Sequence, residues 1–355
     1  MTERNGMRYG LLGLIVLSLL IALGLIVATQ SSPTSEPAAP SATAAPVLES
    51  LAALDGRAPA RRVLDIQTWT TAEGAKVLFV AAPQLPMFDL RLTFAAGSSQ
   101  DGNVPGLAML TNAMLNEGIA GKDVGAIAEG FEGLGAHFGN GAYRDMAITS
   151  LRSLSQPDLR EPALDLFTTV ISAPTFPADS LARIKNQVLA GFEYQKQNPG
   201  KLAGIALFEA LYGKHPYAHS SDGNAQSIPA ITLEQLRAFH AKAYTANNAV
   251  IAVVGDLSRS EAEAISAKVS AALPKGPALA KTLQPEVPKP GSQHIEHPSK
   301  QTHLLLAQLG IDRNDPDYAA LYIGNQILGG GGFGTRLMEE VREKRGLTYG
   351  IYSGF

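Results

Sequence analysis

DLRLTFAAGSSQDGNVPGLAMLTNAMLNE, residues 89–117, carries two hydrophobic periods in one stretch. Asp89 to Ala96 alternates apolar and polar residues, the mark of a half-buried strand. Gly97-Ser98-Ser99 ends it, and from Val104 to Glu117 the apolar residues recur at helical spacing. The stretch therefore reads strand, loop, helix, with both elements amphipathic and both in need of a shared core. Upstream, Val63 onward (LDIQTWTTAEGAKVLFVAAP) alternates around Glu73-Gly74 and predicts a hairpin. Downstream, helices are expected over 123–134, 159–172 and 178–197, a strand over Met146 to Leu154, and a helix over Thr232 to Ala243. That last helix opens on Thr232 with Gln235 three residues on, a capping-box signature. Ala249 to Val254 predicts a further strand closed by Gly255-Asp256. Hairpins and helices mixed in this order favour an α+β class, a mostly antiparallel sheet packed by helices, over a doubly wound parallel sheet.

The rest of the chain divides by composition. Gly10 to Ala28 is an uncharged run rich in Leu, Ile and Val, preceded by Arg4 and Arg8. Its length suits a transmembrane helix, and the arginines place residues 1–9 in the cytoplasm and everything after Ala28 outside. A cleaved signal peptide is the rival reading. The expected location is thus the inner (cell) membrane, single-pass, with the globular part periplasmic. Residues 29–60, rich in Pro, Ala and Ser, cannot bury enough apolar surface to fold and read as a tether. A first domain is expected over 61–272, a Pro- and Lys-rich linker over 273–292, and the start of a second domain over 293–355. This last unit should hold two short strands in His294 to Ala307, helices over 317–328 and 335–343, and a strand over Thr348 to Ser353. It repeats the element order of the first, and it reads as incomplete.

With 355 residues, 45% hydrophobic and 17% charged, the chain can bury a large core. A net charge of −3 without a long basic run gives nothing to neutralise a phosphate backbone, which argues against nucleic-acid binding. There are no cysteines, which removes thiolate chemistry and thiolate zinc sites. His294, Glu296 and His297 form H-x-E-H, but in a strand the two histidines point to opposite faces. His215 and His219 flank Pro216 and belong to a loop. His137 is expected beside a turn, and His240 is expected to tip into solvent. No G-x-S-x-G is present, and Gly329 to Gly332 lacks the Lys-Ser or Lys-Thr of a phosphate loop.

Several segments together resemble the pitrilysin, insulinase and mitochondrial processing peptidase family, the inverzincin metallopeptidases. They are FAAGSSQD with PGLAMLTNAMLNEG, LGAHFGNGAYRDMAITSLRSL, APTFP, HPYAHSSDGNAQSIPAIT, NNAVIAVVGDL and, most specific, ILGGGGFGTRLMEEVREKRGLTYGIYS. The resemblance implies two homologous layered α/β-roll domains. It also implies where zinc would be held: similar proteins read G-x-A-H-x-x-E-H-M where this chain reads Gly106 to Met114. Met109 and Ala113 stand at the two histidines and Asn112 at the general base. The downstream glutamate ligand falls at Ala190 or Gly191, and Glu193 is out of register. The resemblance therefore implies a non-catalytic member with no cofactor of its own, zinc being expected in a partner subunit.

In similar proteins the arginine and tyrosine of the last segment reach toward the substrate carbonyl, and the Gly-rich loop touches substrate. That assigns Arg345, Tyr349, Gly330 and Gly331 to substrate binding; the alternative is that Arg345 pairs with a helix carboxylate such as Glu339 or Glu343 while Tyr349 packs in a strand. Arginine supplies a fixed cation and tyrosine a hydroxyl donor, both suited to a developing oxyanion. The expected function is the non-catalytic subunit of a heterodimeric metallopeptidase, with a zinc-bearing homologue and a peptide or unfolded protein as partners. The alternative is a non-proteolytic binding or scaffold protein of the cell envelope.

Overall fold

The computed structural model describes residues 63–355. The Gly10 to Ala28 run and the 29–60 tether lie outside the described residues, apart from which no described helix is long and apolar enough to cross a membrane.

The strand that opened the sequence argument lies at the centre of a sheet. β1 (Gln67–Thr70) and β2 (Lys76–Ala81) form the expected hairpin, followed by β3 (Met87–Phe94). Next come α1 (Leu107–Ala113), the two-residue strands β4 (Gly118–Ile119) and β5 (Lys122–Asp123), and α2 (Val124–Glu132). β6 (His137–Ala142) and β7 (Ala147–Leu154) precede α3 (Pro157–Ser172), α4 (Ala178–Gln195), α5 (Pro199–Tyr212) and α6 (Ser227–Ala230). α7 (Leu233–Ala243), β8 (Ala249–Gly255) and α8 (Arg259–Ala272) complete this part.

The six-stranded order is β1-β2-β8-β3-β7-β6. Only β2 and β8 pair in parallel (Lys76 opposite Val250); the other pairs are antiparallel, so the mostly antiparallel α+β layering read from the sequence is the one observed. One face of the sheet carries the core. Phe88, Leu90, Leu92 and Phe94 of β3 are buried, and so are Val77, Phe79, Ile251 and Val253 on neighbouring strands. Helices cover that face: Leu110 of α1, Phe167 and Ile171 of α3 and Ile265 of α8 join the same cluster. Each large side chain removed from water contributes about 1.5–3 kcal/mol, which makes this layer the main source of stability. The opposite face is polar at β3 and β7, where Asp89 and Arg152 form an exposed two-pronged ion pair at 2.7 and 2.9 Å.

Thr232 caps α7 as its spacing predicts, with the Gln235 side chain returning the bond. α8 opens on the same device between Ser258 and Glu261. His240, however, does not tip into solvent. It is 6% exposed, meets the Ile171 carbonyl oxygen at 2.8 Å and stacks on Tyr244 at 5.1 Å between ring centroids. Position 240 follows Leu236 by one helical turn, and that turn faces the core rather than the surface. Burial holds the imidazole below its ordinary pKa. A depressed folded pKa contributes stability above the unfolded value, near 6.5, that is lost as pH falls through the folded one. Urea midpoints measured from pH 8 to pH 5 should therefore fall more steeply for the wild type than for His240→Gln; parallel profiles would contradict this placement.

After α8, residues 273–292 run without helix or strand. The expected strands in His294 to Ala307 and Thr348 to Ser353 are not formed. Their alternation is real, but a strand needs a neighbour for its N–H and C=O groups, and residues 293–355 contain no strand to supply one. Leu304 and Leu306 stand almost fully exposed as a result. The helix expected over 317–328 is present as α9 (Tyr318–Asn325), continued by a π-wound turn over Gln326–Gly330. A second π-wound segment, Met338–Glu343, lies inside the helix expected over 335–343.

Candidate functional site

α1 is the element on which the expected zinc site would stand. Gly106 precedes it with φ of 92°, a left-handed conformation, and a Cβ there would approach Ile228 Cδ1 to 2.7 Å, so glycine alone fits. Asp101, 3% exposed, secures the entry: its two carboxylate oxygens accept from the Gly106 and Ala108 amides at 2.8 and 2.7 Å. Burial pushes its carboxyl up to about 7, against the pull of those two amides.

Asn112 is 2% exposed. Its side-chain amide nitrogen donates to the Ile148 carbonyl oxygen (3.2 Å) and to the Tyr244 hydroxyl (3.1 Å), while its backbone carbonyl oxygen accepts from the Asn140 side chain at 2.7 Å. Asn112 thus ties α1 to β7 and to the chain after α7 through its side chain, and to β6 through its backbone. Burial holds the Tyr244 phenol neutral, well above its ordinary value. Met109 and Ala113 pack half-buried against the core. A thioether, a neutral amide and a methyl group cannot replace two imidazoles and a carboxylate, so the side chains at 109, 112 and 113 do not fit a zinc ion.

The downstream positions agree with this chemistry. Ala190 and Gly191 lie exposed on α4, and a Cβ on Gly191 would meet nothing within 4 Å. Glu193 is exposed and bonded to Lys196 Nζ at 2.6 Å. Among the described residues, no group of three or more His, Asp or Glu side chains is placed to hold a metal. His294 and Glu296 meet at 3.1 Å, both largely in solvent, and His215 Nε2 lies 2.7 Å from the Leu283 carbonyl oxygen in the expected loop.

Arg345 and Tyr349 interact within their own segment. The Arg345 guanidinium binds the Glu340 carbonyl and carboxylate, and Tyr349, 84% exposed, lies 5.7 Å from the Arg342 guanidinium. A Cβ on Gly331 would come within 2.9 Å of the Gln326 backbone carbonyl oxygen, whereas one on Gly330 would meet the movable end of the Asn325 side chain at 2.7 Å. Sequence reasoning missed Asp101, Asn140 and Tyr244. Asp101, five residues ahead of Gly106 at a helix entry, carried a readable capping signal; the other two did not.

Two family patterns match the chain. That of insulinase (peptidase family M16) matches residues 76–223, and that described as the peptidase M16 inactive domain matches residues 230–355. A Helicobacter pylori protein named non-peptidase homolog YmxG is 28% identical over 272 residues, 76% of this chain and 62% of the relative. A Bacillus subtilis protein named uncharacterized zinc protease YmxG is 23% identical, covering 81% of this chain and 69% of its own length. The chain thus spans less than two thirds of the length of the Helicobacter relative. Among solved structures, a peptidase M16 inactive domain from Pseudomonas fluorescens is 78% identical with a TM-score of 0.81, over 82% of this chain and 71% of that one. A protease from Helicobacter pylori, 17% identical, shares the fold with a TM-score of 0.66, over 82% of this chain and 72% of its own.

Proposed function

Because the chain belongs to the insulinase-type M16 peptidase family, we propose that it is a membrane-anchored non-catalytic subunit that completes the site of a zinc-bearing homologue. The observation that carries this reading is Asn112. Where the family's base would stand, a buried amide is committed to Ile148 and Tyr244, so α1 is retained as scaffold without its ligands. The Helicobacter relative's name, non-peptidase homolog, supports it. In this proposal residues 61–272 and 293–355 are homologous domains joined by 273–292, the Gly10 to Ala28 run anchors the chain in the inner membrane, and the globular part lies in the periplasm. Arg345 and Tyr349 face a peptide or unfolded segment held in the partner's site, and Gly330 and Gly331 let its backbone approach.

The test is a mixed complex. Arg345→Gln and Tyr349→Phe should each lower the kcat of the complex by about a hundredfold, the lower end of the scale for losing one oxyanion donor, with pairing retained. Normal turnover in both variants would remove the role. One observation favours the second reading, an envelope scaffold without proteolysis: Arg345 is already bonded to Glu340, as a purely structural arginine would be. Under that reading the variants would change pairing or stability and leave no turnover to measure.

A further inference from the structure

Away from α1, the loop between β6 and β7, the start of α5 and the loop after it enclose an open cavity of about 490 Å³. Arg144 stands in its wall in a fixed pose. Its Nη1 donates to the Tyr217 and His219 carbonyl oxygens at 2.8 and 3.1 Å, and its guanidinium carbon sits over the Phe208 ring, 4.0 Å from the centroid. Those contacts orient the cation without neutralising it. The neighbouring carboxylate, Asp145, is committed instead to the Tyr217 hydroxyl at 2.6 Å. Lys201, in the first turn of α5, lines the same cavity, and among the described residues neither cation forms an ion pair. Half-burial makes an unpaired guanidinium costly, so a site that keeps one oriented and open to a cavity is arranged for an incoming anion.

The lining also limits which anion. Asp222 lines the cavity and, among the described residues, pairs with no cation, and Asp145 beside Arg144 keeps its charge while accepting from the Tyr217 hydroxyl, so the two cations already stand near two carboxylates. That balance suits a single negative charge better than a dianion such as a phosphate monoester. Phe208 and Ile205 add an apolar floor beside the cations. A ligand with one carboxylate next to apolar atoms matches all of these features.

We propose that this cavity binds a carboxylate borne by a peptide, with Arg144 and Lys201 as its two cationic contacts and Phe208 beneath the adjoining residue. That the carboxylate belongs to a peptide rests on the half-site reading above; the cavity's preference for a monoanion does not. The carboxylate is either a Glu or Asp side chain or a chain terminus, and the probes separate these.

The measurement is fluorescence polarisation with the full chain alone, so no cleavage and no partner enter it. Three labelled pentapeptides of Ala and Phe are compared: one with an internal Glu and a C-terminal amide, one neutral with a free C-terminus, and one neutral and amidated. At least one carboxylate peptide should bind about tenfold more tightly than the neutral amide, and Lys201→Gln and Arg144→Gln should each remove most of that preference. Whichever carboxylate peptide holds the advantage identifies the source. Arg144 also supports two backbone carbonyls, so if Arg144→Gln loses its native circular dichroism the exposed Lys201→Gln decides. Equal affinity for all three peptides, or a full preference retained in folded Lys201→Gln, overturns the proposal. A peptide that binds here while the mixed complex shows no dependence on Arg345 would separate the two claims.

Discussion

Asn112→Glu, which puts a carboxyl at the position proposed for the family's general base, should destabilise the protein by about 3–5 kcal/mol. The amide it replaces donates to the Ile148 carbonyl oxygen in a position 2% exposed. An ionised glutamate there would set acceptor against acceptor, and a protonated one avoids that only by holding a proton that the unfolded chain releases above about pH 4.3. The Tyr244 hydroxyl can turn to donate to the new group, but it cannot serve Ile148 as well. The extra methylene must also fit between α1 and the sheet, where Leu110, Met114 and Ile251 leave no exposed surface. The carboxyl should stay neutral up to high pH, and the loss should grow as pH rises. Urea denaturation at pH 6 and pH 8 reads both effects. A variant within 1 kcal/mol of the wild type would mean that position 112 still accommodates the base and that the asparagine is incidental.

Asp101→Ala should cost about 3 kcal/mol, from two buried amide donors left without an acceptor at the entry to α1. Linkage gives this loss a pH dependence. The carboxyl's folded value, raised by burial to about 7, lies above its unfolded value near 3.9, so its contribution is full at low pH and declines as pH rises toward 7. The difference between wild type and Asp101→Ala should therefore be larger at pH 5 than at pH 8. A difference that grows on going to pH 8 would show that the amides, not burial, set the state of this carboxylate. Asp101→Asn, which keeps one acceptor, should recover part of the loss.

The sheet was legible because its central strand obeys a strict alternation: every second residue from Phe88 to Phe94 is buried, and Asp89 and Arg91 face out. Caps were legible wherever a side chain bonds three residues along the chain, as Thr232 does. α5 carried such a signal too, Asn198 followed by Pro199 at the first helical position, and its Asn198 side chain accepts from the Lys201 amide at 3.1 Å. β6, reading HFGNGA, hid because its glycines weaken both propensity and alternation; it is a strand through its pairing with β7. The reverse error occurred at 294–307 and 348–353, where local alternation exists without a neighbouring strand.

The candidate site was legible only as a set of missing ligands. That Met109, Asn112 and Ala113 lack zinc chemistry follows from their atoms. What Asn112 does instead depends on Ile148 and Tyr244, which the fold brings to α1 from distant parts of the chain, and no local pattern announces such a pairing. Arg345 illustrates the same limit from the other side: its residue type and motif suggest an oxyanion donor, whereas its geometry gives it Glu340.

This chain keeps the fold of the M16 peptidase family, and its side chains at 109, 112 and 113 do not fit a zinc ion. Metal analysis of the purified full chain, after exposure to equimolar zinc and gel filtration, tests that misfit most directly. Far less than one zinc per chain and no peptide cleavage by the chain alone are expected. One tightly held zinc per chain, accompanied by peptide cleavage that a chelator abolishes, would contradict it.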